Sequence, residues 1–184
     1  MKSNPVFRMV ISALLIAVGI VIPLFMPKIV LPPASFTLAS HVPIFIAMFI
    51  SPATALAVAV GTAIGFFFSA PLIIALRAAT HLVFAFLGAV YLEKRRTLLQ
   101  SWAQTQWFSF VIALIHAAAE VAVVTAFYFG GQINAEFYQN GFVQSVLLLV
   151  VIGSIVHSMV DFGIALLVYK ALNKQQQIHA LLTK

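Results

Sequence analysis

The stretch Pro71–Leu92, PLIIALRAATHLVFAFLGAVYL, is apolar and long enough to cross a bilayer as a helix, yet it contains Arg77 and, one turn later, His81. An arginine at the centre of a membrane costs about 2.5–3.5 kcal/mol on insertion scales. The guanidinium cannot avoid this cost by losing its proton. We therefore expect a negative group beside Arg77, either a carboxylate of the protein or the carboxylate of a ligand.

The chain as a whole has the composition of an integral membrane protein. Of its 184 residues, 63% are hydrophobic and only 8% are charged, whereas soluble domains carry about 25% charged residues. Its mean hydropathy is +1.11. The absence of cysteine from the sequence excludes disulfides, thiolate metal ligands and cysteine nucleophiles.

Six apolar segments predict an all-α integral membrane protein, a single domain over residues 1–184 folded as a compact bundle of six transmembrane helices. Helices are predicted because a backbone in lipid must satisfy its own hydrogen bonds, and because no segment alternates every second residue as a barrel strand does. We expect the first segment to be retained as a span; the second is short for one. The segments are Val6–Phe25, His41–Ile50, Ala53–Phe68, Leu72–Leu92, Thr105–Phe129 and Phe142–Leu172.

The basic residues predict the orientation of the bundle. With both termini on one side of the membrane, that side collects eight of the ten lysines and arginines, whereas the other side has Lys28 alone. Positive charge accumulates in cytoplasmic loops, so both termini are expected in the cytoplasm. This topology explains the net charge of +6 and leaves no basic patch for a nucleic acid. The eight residues are Lys2, Arg8, Lys94, Arg95, Arg96, Lys170, Lys174 and Lys184.

Three of the predicted helices carry two polar residues four positions apart, which places both on one face of the helix. By the helical rise, Arg77 lies roughly 8 Å, and His81 and Glu120 roughly 14 Å, below the outer ends of their helices. These three side chains can therefore share a depth in the membrane. The pairs are Arg77 with His81, His116 with Glu120, and His157 with Asp161.

Two interpretations of these residues stay open. In the first, they form a polar pocket that opens outward and binds a ligand. In the second, Arg77 and Glu120 are an internal ion pair that only joins two helices. His157 and Asp161 lie deeper and are interpreted as a structural hydrogen bond. The predicted ligand-binding residues are Arg77, His81, Glu120, His116, His41 at the outer surface, and Asn134, Tyr138 and Gln144 from an outer lid.

Metal binding and catalysis are not predicted, and no cofactor is expected. The sequence contains neither HxxxH nor HExxH, and each histidine lies on a different element. No GxSxG or comparable nucleophile motif is present, so the chain is not expected to be an enzyme. A stand-alone proton-coupled carrier is the alternative to a binding protein, because histidines and acids form proton relays in membranes. Against it, the sequence has no visible inverted repeat.

Small residues recur at four-residue spacing in two segments, which lets helix backbones approach closely. Gly61 and Gly65 in the third segment favour contact with a neighbouring helix of the same chain. Ala13 and Ala17 in the first segment fit either such a contact or a surface for another protein.

Together, these features resemble the substrate-binding S components of energy-coupling factor (ECF) vitamin transporters. The resemblance covers essentially the whole length of the chain. It includes the six-span pattern with a long outer first loop. Its motifs are the Ala13–Ala17 stretch after a basic N-terminus, Pro32–Pro43, Ser51-Pro52 and Gly61–Gly65.

The resemblance implies a protein that captures a vitamin on the outer side of the bacterial plasma membrane. It would then dock on a transmembrane scaffold subunit driven by two cytoplasmic ATPase subunits. The family assigns the docking surface to Ala13 and Ala17, and the ligand site to the outer part of helices four to six. ATP hydrolysis would belong to the partners, since the sequence has no P-loop motif.

The identity of the ligand is predicted from Arg77. A guanidinium pairs with a carboxylate through two parallel hydrogen bonds, which favours pantothenate or niacin. Pantothenate is the favoured ligand, because it also carries hydroxyl and amide groups for the other polar side chains of the pocket. If Glu120 instead neutralises Arg77, an uncharged ligand such as pyridoxine or hydroxymethylpyrimidine is favoured.

Overall fold

Five long helices make up most of the structure, a computed structural model that describes residues 5–31, 34–95, 97–131 and 141–182. Within these residues, five helices are long and apolar enough to cross a membrane, so the chain is a multi-pass membrane protein. The π-helical segment and α6 together form the fifth. In chain order the helices are α1 (Pro5–Phe25), α2 (Val42–Ile50), α3 (Pro52–Ser69), α4 (Leu72–Lys94), α5 (Trp102–Phe129), a π-helical segment (Val143–Ile152) and α6 (Gly153–Leu182).

The second predicted span, His41–Ile50, corresponds to α2, which is a short buried helix. Its nine residues extend about 14 Å at 1.5 Å per residue, less than half of the ~30 Å hydrocarbon core. It packs against α1, α3, α4 and α6, and its sequence, VPIFIAMFI, is apolar on every side. It therefore lies at the centre of the bundle, and the predicted count of six spans is not confirmed. The side of the membrane on which each terminus lies stays a prediction.

A short β-hairpin precedes α2, where the sequence predicts only a proline-rich turn. Its strands, β1 (Lys28–Leu31) and β2 (Ala34–Thr37), are antiparallel and contain β-branched and aromatic residues that favour strands. The Phe36 ring lies against Gly153, where any side chain would overlap with it, so the hairpin packs on the start of α6. A turn at residues 38–41 then leads into α2.

Both predicted proline breaks separate helices. The Ser51 hydroxyl accepts a hydrogen bond from the Thr54 amide at 3.2 Å, and Pro52 occupies the first turn of α3, as is typical of helix starts. Between α3 and α4, Ala70 and Pro71 have extended backbones. Because these connections are short, α2, α3 and α4 pack as neighbours.

Gly61 and Gly65 bring α3 into close contact with α1. The Ile16 side chain covers Gly61 and the Ile20 side chain covers Gly65, so that a β-carbon at either glycine would overlap with an isoleucine. This confirms the prediction of a contact within the chain.

The Ala13 and Ala17 stripe lies on a different side of α1. Both alanines are exposed, whereas Leu15 and Gly19 of the same helix are buried. In a bilayer, the stripe faces lipid or another protein, and its role in docking stays a prediction.

Aromatic rings fill the middle of the bundle. Phe45, Phe84, Phe108 and Phe162 are buried, and their neighbouring ring centroids are 5.3–5.9 Å apart. We call these four residues the phenylalanine layer. It lies on the side of the bundle toward the end of α4 and the start of α5, which the basic residues predict to be cytoplasmic.

Candidate ligand-binding site

Polar side chains from three helices and from the turn before α2 meet inside the bundle, next to the phenylalanine layer. α4 contributes Arg77 and His81, and α5 contributes His116 and Glu120, so these two predicted pairs face each other. All four side chains are buried. We call the whole set the polar cluster; its members are His41, Arg77, His81, His116, Glu120, Ser154, His157 and Asp161.

Glu120 is the negative group that Arg77 requires. Arg77 Nε donates to Glu120 Oε1 and Arg77 Nη2 donates to Oε2, both at 3.1 Å. The Ser154 hydroxyl also donates to Oε2. This two-point arrangement is the strongest geometry for an arginine and a carboxylate. The internal ion pair that the sequence left open is therefore present, and it borders a cavity.

Asp161 holds the turn that precedes α2. Its Oδ1 accepts a hydrogen bond from the Ala39 amide at 2.8 Å, and its Oδ2 accepts from the His41 amide at 2.9 Å and from His41 Nδ1 at 3.1 Å. Ala39 has a positive φ of 67°, a conformation that costs free energy for a residue with a β-carbon. The bonds to Asp161 fix the backbone on both sides of it.

The prediction that His41 lies at the outer surface is wrong. Only 6% of the residue is exposed, and its ring contacts His81, His116 and His157 at centroid distances of 4.6–4.8 Å. The reason is that the hairpin and the turn carry the chain into the bundle before α2 begins. Prediction from helical segments alone placed His41 at the end of a full-length span.

Three histidines lie ring to ring. His41 Nε2 is 3.2 Å from His81 Nε2, and the His81 and His116 ring centroids are 4.9 Å apart. Among the described residues, neither ring nitrogen of His116 has a hydrogen-bond partner; Glu120 Oε1 is 3.6 Å from its Nε2. The chain spacing of these histidines does not predict this proximity, because each comes from a different element.

A cavity of about 220 Å³ reaches the polar cluster. Arg77, His81 and Glu120 border it, and the rest of its wall comes from α1, the hairpin, the turn before α2, α3, α4 and α6. Thr62 also borders it, and its hydroxyl, like His81 Nδ1, is buried without a hydrogen-bond partner in the described part of the chain. Buried polar atoms are usually satisfied, so these atoms favour a ligand-binding role for the cavity.

Gln144, a predicted lid residue, does not line this cavity. It is exposed and borders a second, mostly apolar groove of about 1050 Å³ beside the hairpin and α6, whose wall also includes His157 of the polar cluster. Asn134 and Tyr138 lie outside the described residues. Of the predicted lid, the structure therefore describes Gln144 alone.

The sequence analysis paired His157 with Asp161, and these side chains lie 3.4 Å apart, but it missed how the polar face of α6 extends to other partners. Ser154 binds Glu120, and His157 Nε2 lies 3.1 Å from the Ser40 hydroxyl. The signal that could have found this face is a polar stripe along α6, since residues three and four positions apart lie on one side of a helix. The stripe consists of Ser154, His157, Ser158 and Asp161.

The fold and the site define a multi-pass helical membrane protein with a buried polar cavity of the size of a small metabolite. The chain belongs to the family of the niacin transporter NiaX of Lactococcus lactis subsp. cremoris (strain MG1363). The two sequences are 43% identical over 175 residues, which span 94% of this chain and 78% of that protein. No family model and no solved structure matches the chain.

Proposed function

We propose that this chain captures niacin at the polar cluster and serves as the vitamin-binding subunit of an uptake transporter. The relative from Lactococcus lactis is a niacin transporter. The observation that carries the proposal is the cavity that Arg77, His81 and Glu120 border. It combines buried charge with unpartnered polar atoms, which a polar ligand would satisfy.

Niacin fits this cavity better than pantothenate, the ligand that the sequence favours. Niacin is one pyridine ring bearing a carboxylate, whereas pantothenate is a branched chain with an amide and two hydroxyls. Sites for drug-sized molecules measure about 300–1,000 Å³, so a cavity of about 220 Å³ suits a smaller ligand. The relative is a niacin transporter, which does not support pantothenate as the ligand.

The polar cluster offers partners for both ends of niacin. The bonds to Glu120 use Nε and Nη2 of Arg77, so Nη1 can donate to the carboxylate of the ligand. Thr62 and His81 also border the cavity. The Thr62 hydroxyl and His81 Nδ1 are buried without a partner in the described residues, and a rotation of either side chain on ligand binding would bring it to the carboxylate or to the pyridine nitrogen. A buried polar atom without a partner costs about 1–3 kcal/mol, which favours a ligand that supplies one.

The proposed assembly is an ECF transporter in a bacterial plasma membrane. The chain would dock on a transmembrane scaffold subunit through Ala13 and Ala17, and two ATPase subunits would supply the energy. Support comes from the resemblance of the chain to S components and from the exposure of both alanines on α1. The lack of a P-loop motif in the sequence also favours external ATPases.

Titration calorimetry of the purified chain in detergent tests the ligand. Niacin is expected to bind at least about tenfold more tightly than pantothenate or pyridoxine, a difference of ~1.4 kcal/mol. Thr62→Val removes the hydroxyl at nearly constant volume and is expected to weaken niacin binding. Gln144→Ala tests the predicted lid and is expected to leave binding unchanged. Tighter binding of pantothenate than of niacin would contradict the proposal.

A proton-coupled carrier is the second candidate, because the polar cluster contains carboxylates and histidines within 3.1–3.8 Å of one another. Such groups can pass protons in a membrane. The phenylalanine layer argues against this function, since the apolar ring of Phe84 lies directly against His41 and His116 of the cluster. Liposomes that contain this chain alone separate the two: a carrier accumulates niacin when a pH gradient is applied, and a binding subunit does not.

A further inference from the structure

We infer that His41, His81 and His116 form a binding site for a divalent transition-metal ion, with zinc the expected ion, beside the ligand cavity. Within the residues that the structure describes, each side chain offers a ring nitrogen, and these atoms all lie within 4.8 Å of one another. All three histidines are buried. Imidazole nitrogens suit zinc, copper and nickel, and three histidines with one open position are a known zinc arrangement.

The spacing of the first two nitrogens matches that of two ligands on a shared ion. His41 Nε2 and His81 Nε2 are 3.2 Å apart. Two nitrogens bound to a tetrahedral zinc ion at ~2.0–2.1 Å lie about 3.3–3.4 Å from each other. In the metal-free protein, one proton between the two nitrogens accounts for the same distance. The ion would replace that proton.

His116 supplies an independent observation. Only 1% of the residue is exposed, yet neither of its ring nitrogens has a hydrogen-bond partner among the described residues; Glu120 Oε1, at 3.6 Å from Nε2, is too far for a hydrogen bond. Its ring lies against both other histidines, at centroid distances of 4.7 and 4.9 Å. Burial of an imidazole without a hydrogen bond is unfavourable. Coordination of an ion shared with His41 and His81 would satisfy one of its nitrogens.

Asp161 orients the His41 ring, as a carboxylate orients a metal-binding histidine in many metal sites. Its Oδ2 accepts a hydrogen bond from His41 Nδ1 at 3.1 Å. This bond keeps the proton on Nδ1, so the lone pair of His41 lies on Nε2, which faces the other two histidines. Partners of this kind fix the ring and raise the basicity of the coordinating nitrogen.

The charges of the polar cluster also favour a cation. With neutral histidines, Arg77, Glu120 and Asp161 give the cluster a net charge of −1. Niacin would bring a second negative charge into this buried site. A divalent ion would neutralise the complex, and its open position would accept the carboxylate of the ligand. Only this step of the argument depends on the proposed function.

Metal analysis of the purified chain tests the site without any ligand. The chain should be purified without a histidine tag and without chelators, and its zinc content measured by mass spectrometry. About one zinc ion per chain is expected, together with a rise in the unfolding temperature when zinc, but not magnesium, is added to chelator-treated protein. Absence of bound zinc together with no such rise would overturn the proposal.

Variants of the histidines assign the ligands. His116→Asn is expected to weaken zinc binding by at least the ~10–100-fold that loss of an orienting partner causes. Ser158→Ala, at a buried serine of α6 whose hydroxyl has no partner in the described residues, is the control and should keep the metal. If His116→Asn retains zinc while His157→Asn loses it, the ion belongs to His41, His157 and Asp161, and our assignment is wrong.

Niacin titrations of zinc-loaded and zinc-free protein separate the two proposals. Zinc binding without any niacin binding would leave the metal site standing and contradict the proposed function. If both forms bind niacin with equal strength and the protein retains no zinc after purification, the proposed function stands and the metal site is contradicted. We expect zinc-free protein to bind niacin at least about tenfold more weakly.

Discussion

Arg77 and Glu120 join α4 to α5 through two parallel hydrogen bonds of 3.1 Å, deep inside the bundle. Both groups are largely removed from water, since only 7% of Arg77 and 4% of Glu120 are exposed. A buried ion pair of this kind contributes little compared with an apolar pair, but the loss of one partner leaves a buried charge without compensation.

Glu120→Gln is therefore expected to lower the free energy of unfolding by about 3–5 kcal/mol. The double variant Arg77→Met with Glu120→Leu removes both charges and should recover most of this loss. Thermal unfolding in detergent of the wild type, Arg77→Met, Glu120→Leu and the double variant gives the coupling energy of the pair. If the effects of Arg77→Met and Glu120→Leu simply add, the ion pair has no structural role.

Asp161→Asn is expected to destabilise the chain because it replaces an acceptor with an amide group. The Ala39 amide, the His41 amide and His41 Nδ1 all donate to Asp161. An asparagine can accept at its oxygen only, so at least one buried donor loses its partner, at about 1–3 kcal/mol. Ser158→Ala is the matched control on the same face of α6. Equal unfolding temperatures for the two variants would show that Asp161 does not hold the turn.

Gly61→Ala is expected to separate α1 from α3. An added β-carbon would overlap with several atoms of the Ile16 side chain, and overpacking of this kind typically costs about 1–3 kcal/mol. Gly163 in α6 has no heavy atom within 4 Å of such a carbon. Gly163→Ala should therefore stabilise its helix by up to ~1 kcal/mol. Thermal unfolding of both variants shows whether each change stabilises or destabilises the chain. If Gly61→Ala stabilises it, the close contact between α1 and α3 is refuted.

Ala13→Trp tests the proposed docking surface. Because Ala13 is exposed, the change is expected to leave niacin binding by the isolated chain intact. Uptake by cells that also contain the scaffold and ATPase subunits should fall to the background level. Val156→Trp, on the exposed face of α6, places the same ring elsewhere on the surface and should not affect uptake. Loss of uptake in both variants would point to a general effect of bulk.

The long helices could be predicted from the sequence, but α2 could not be assigned correctly. Continuous apolar segments of about 20 residues have few alternatives in lipid. A nine-residue apolar segment such as α2 is equally compatible with a tilted span and with a buried core helix, and only its packing decides. The hairpin escaped prediction for a related reason, because its position depends on the contact between Phe36 and Gly153.

For the candidate site, the sequence predicts which side of each helix is polar, but it does not predict which polar side chains touch one another. The spacing of Arg77 with His81 and of His116 with Glu120 places each pair on one side of its helix. It does not say which sides meet, or that the chain enters the bundle before α2 and buries His41 there. The proximity of three histidines arises from that entry, which no spacing along the chain can reveal.

The tilted and edge-on rings of Phe45, Phe84, Phe108 and Phe162 close one side of the polar cluster with apolar surface. On the proposed function, a bound ligand would meet hydrocarbon on that side, and passage through it would require the rings to move apart. The isolated chain would then retain its ligand, and uptake would depend on the partner subunits.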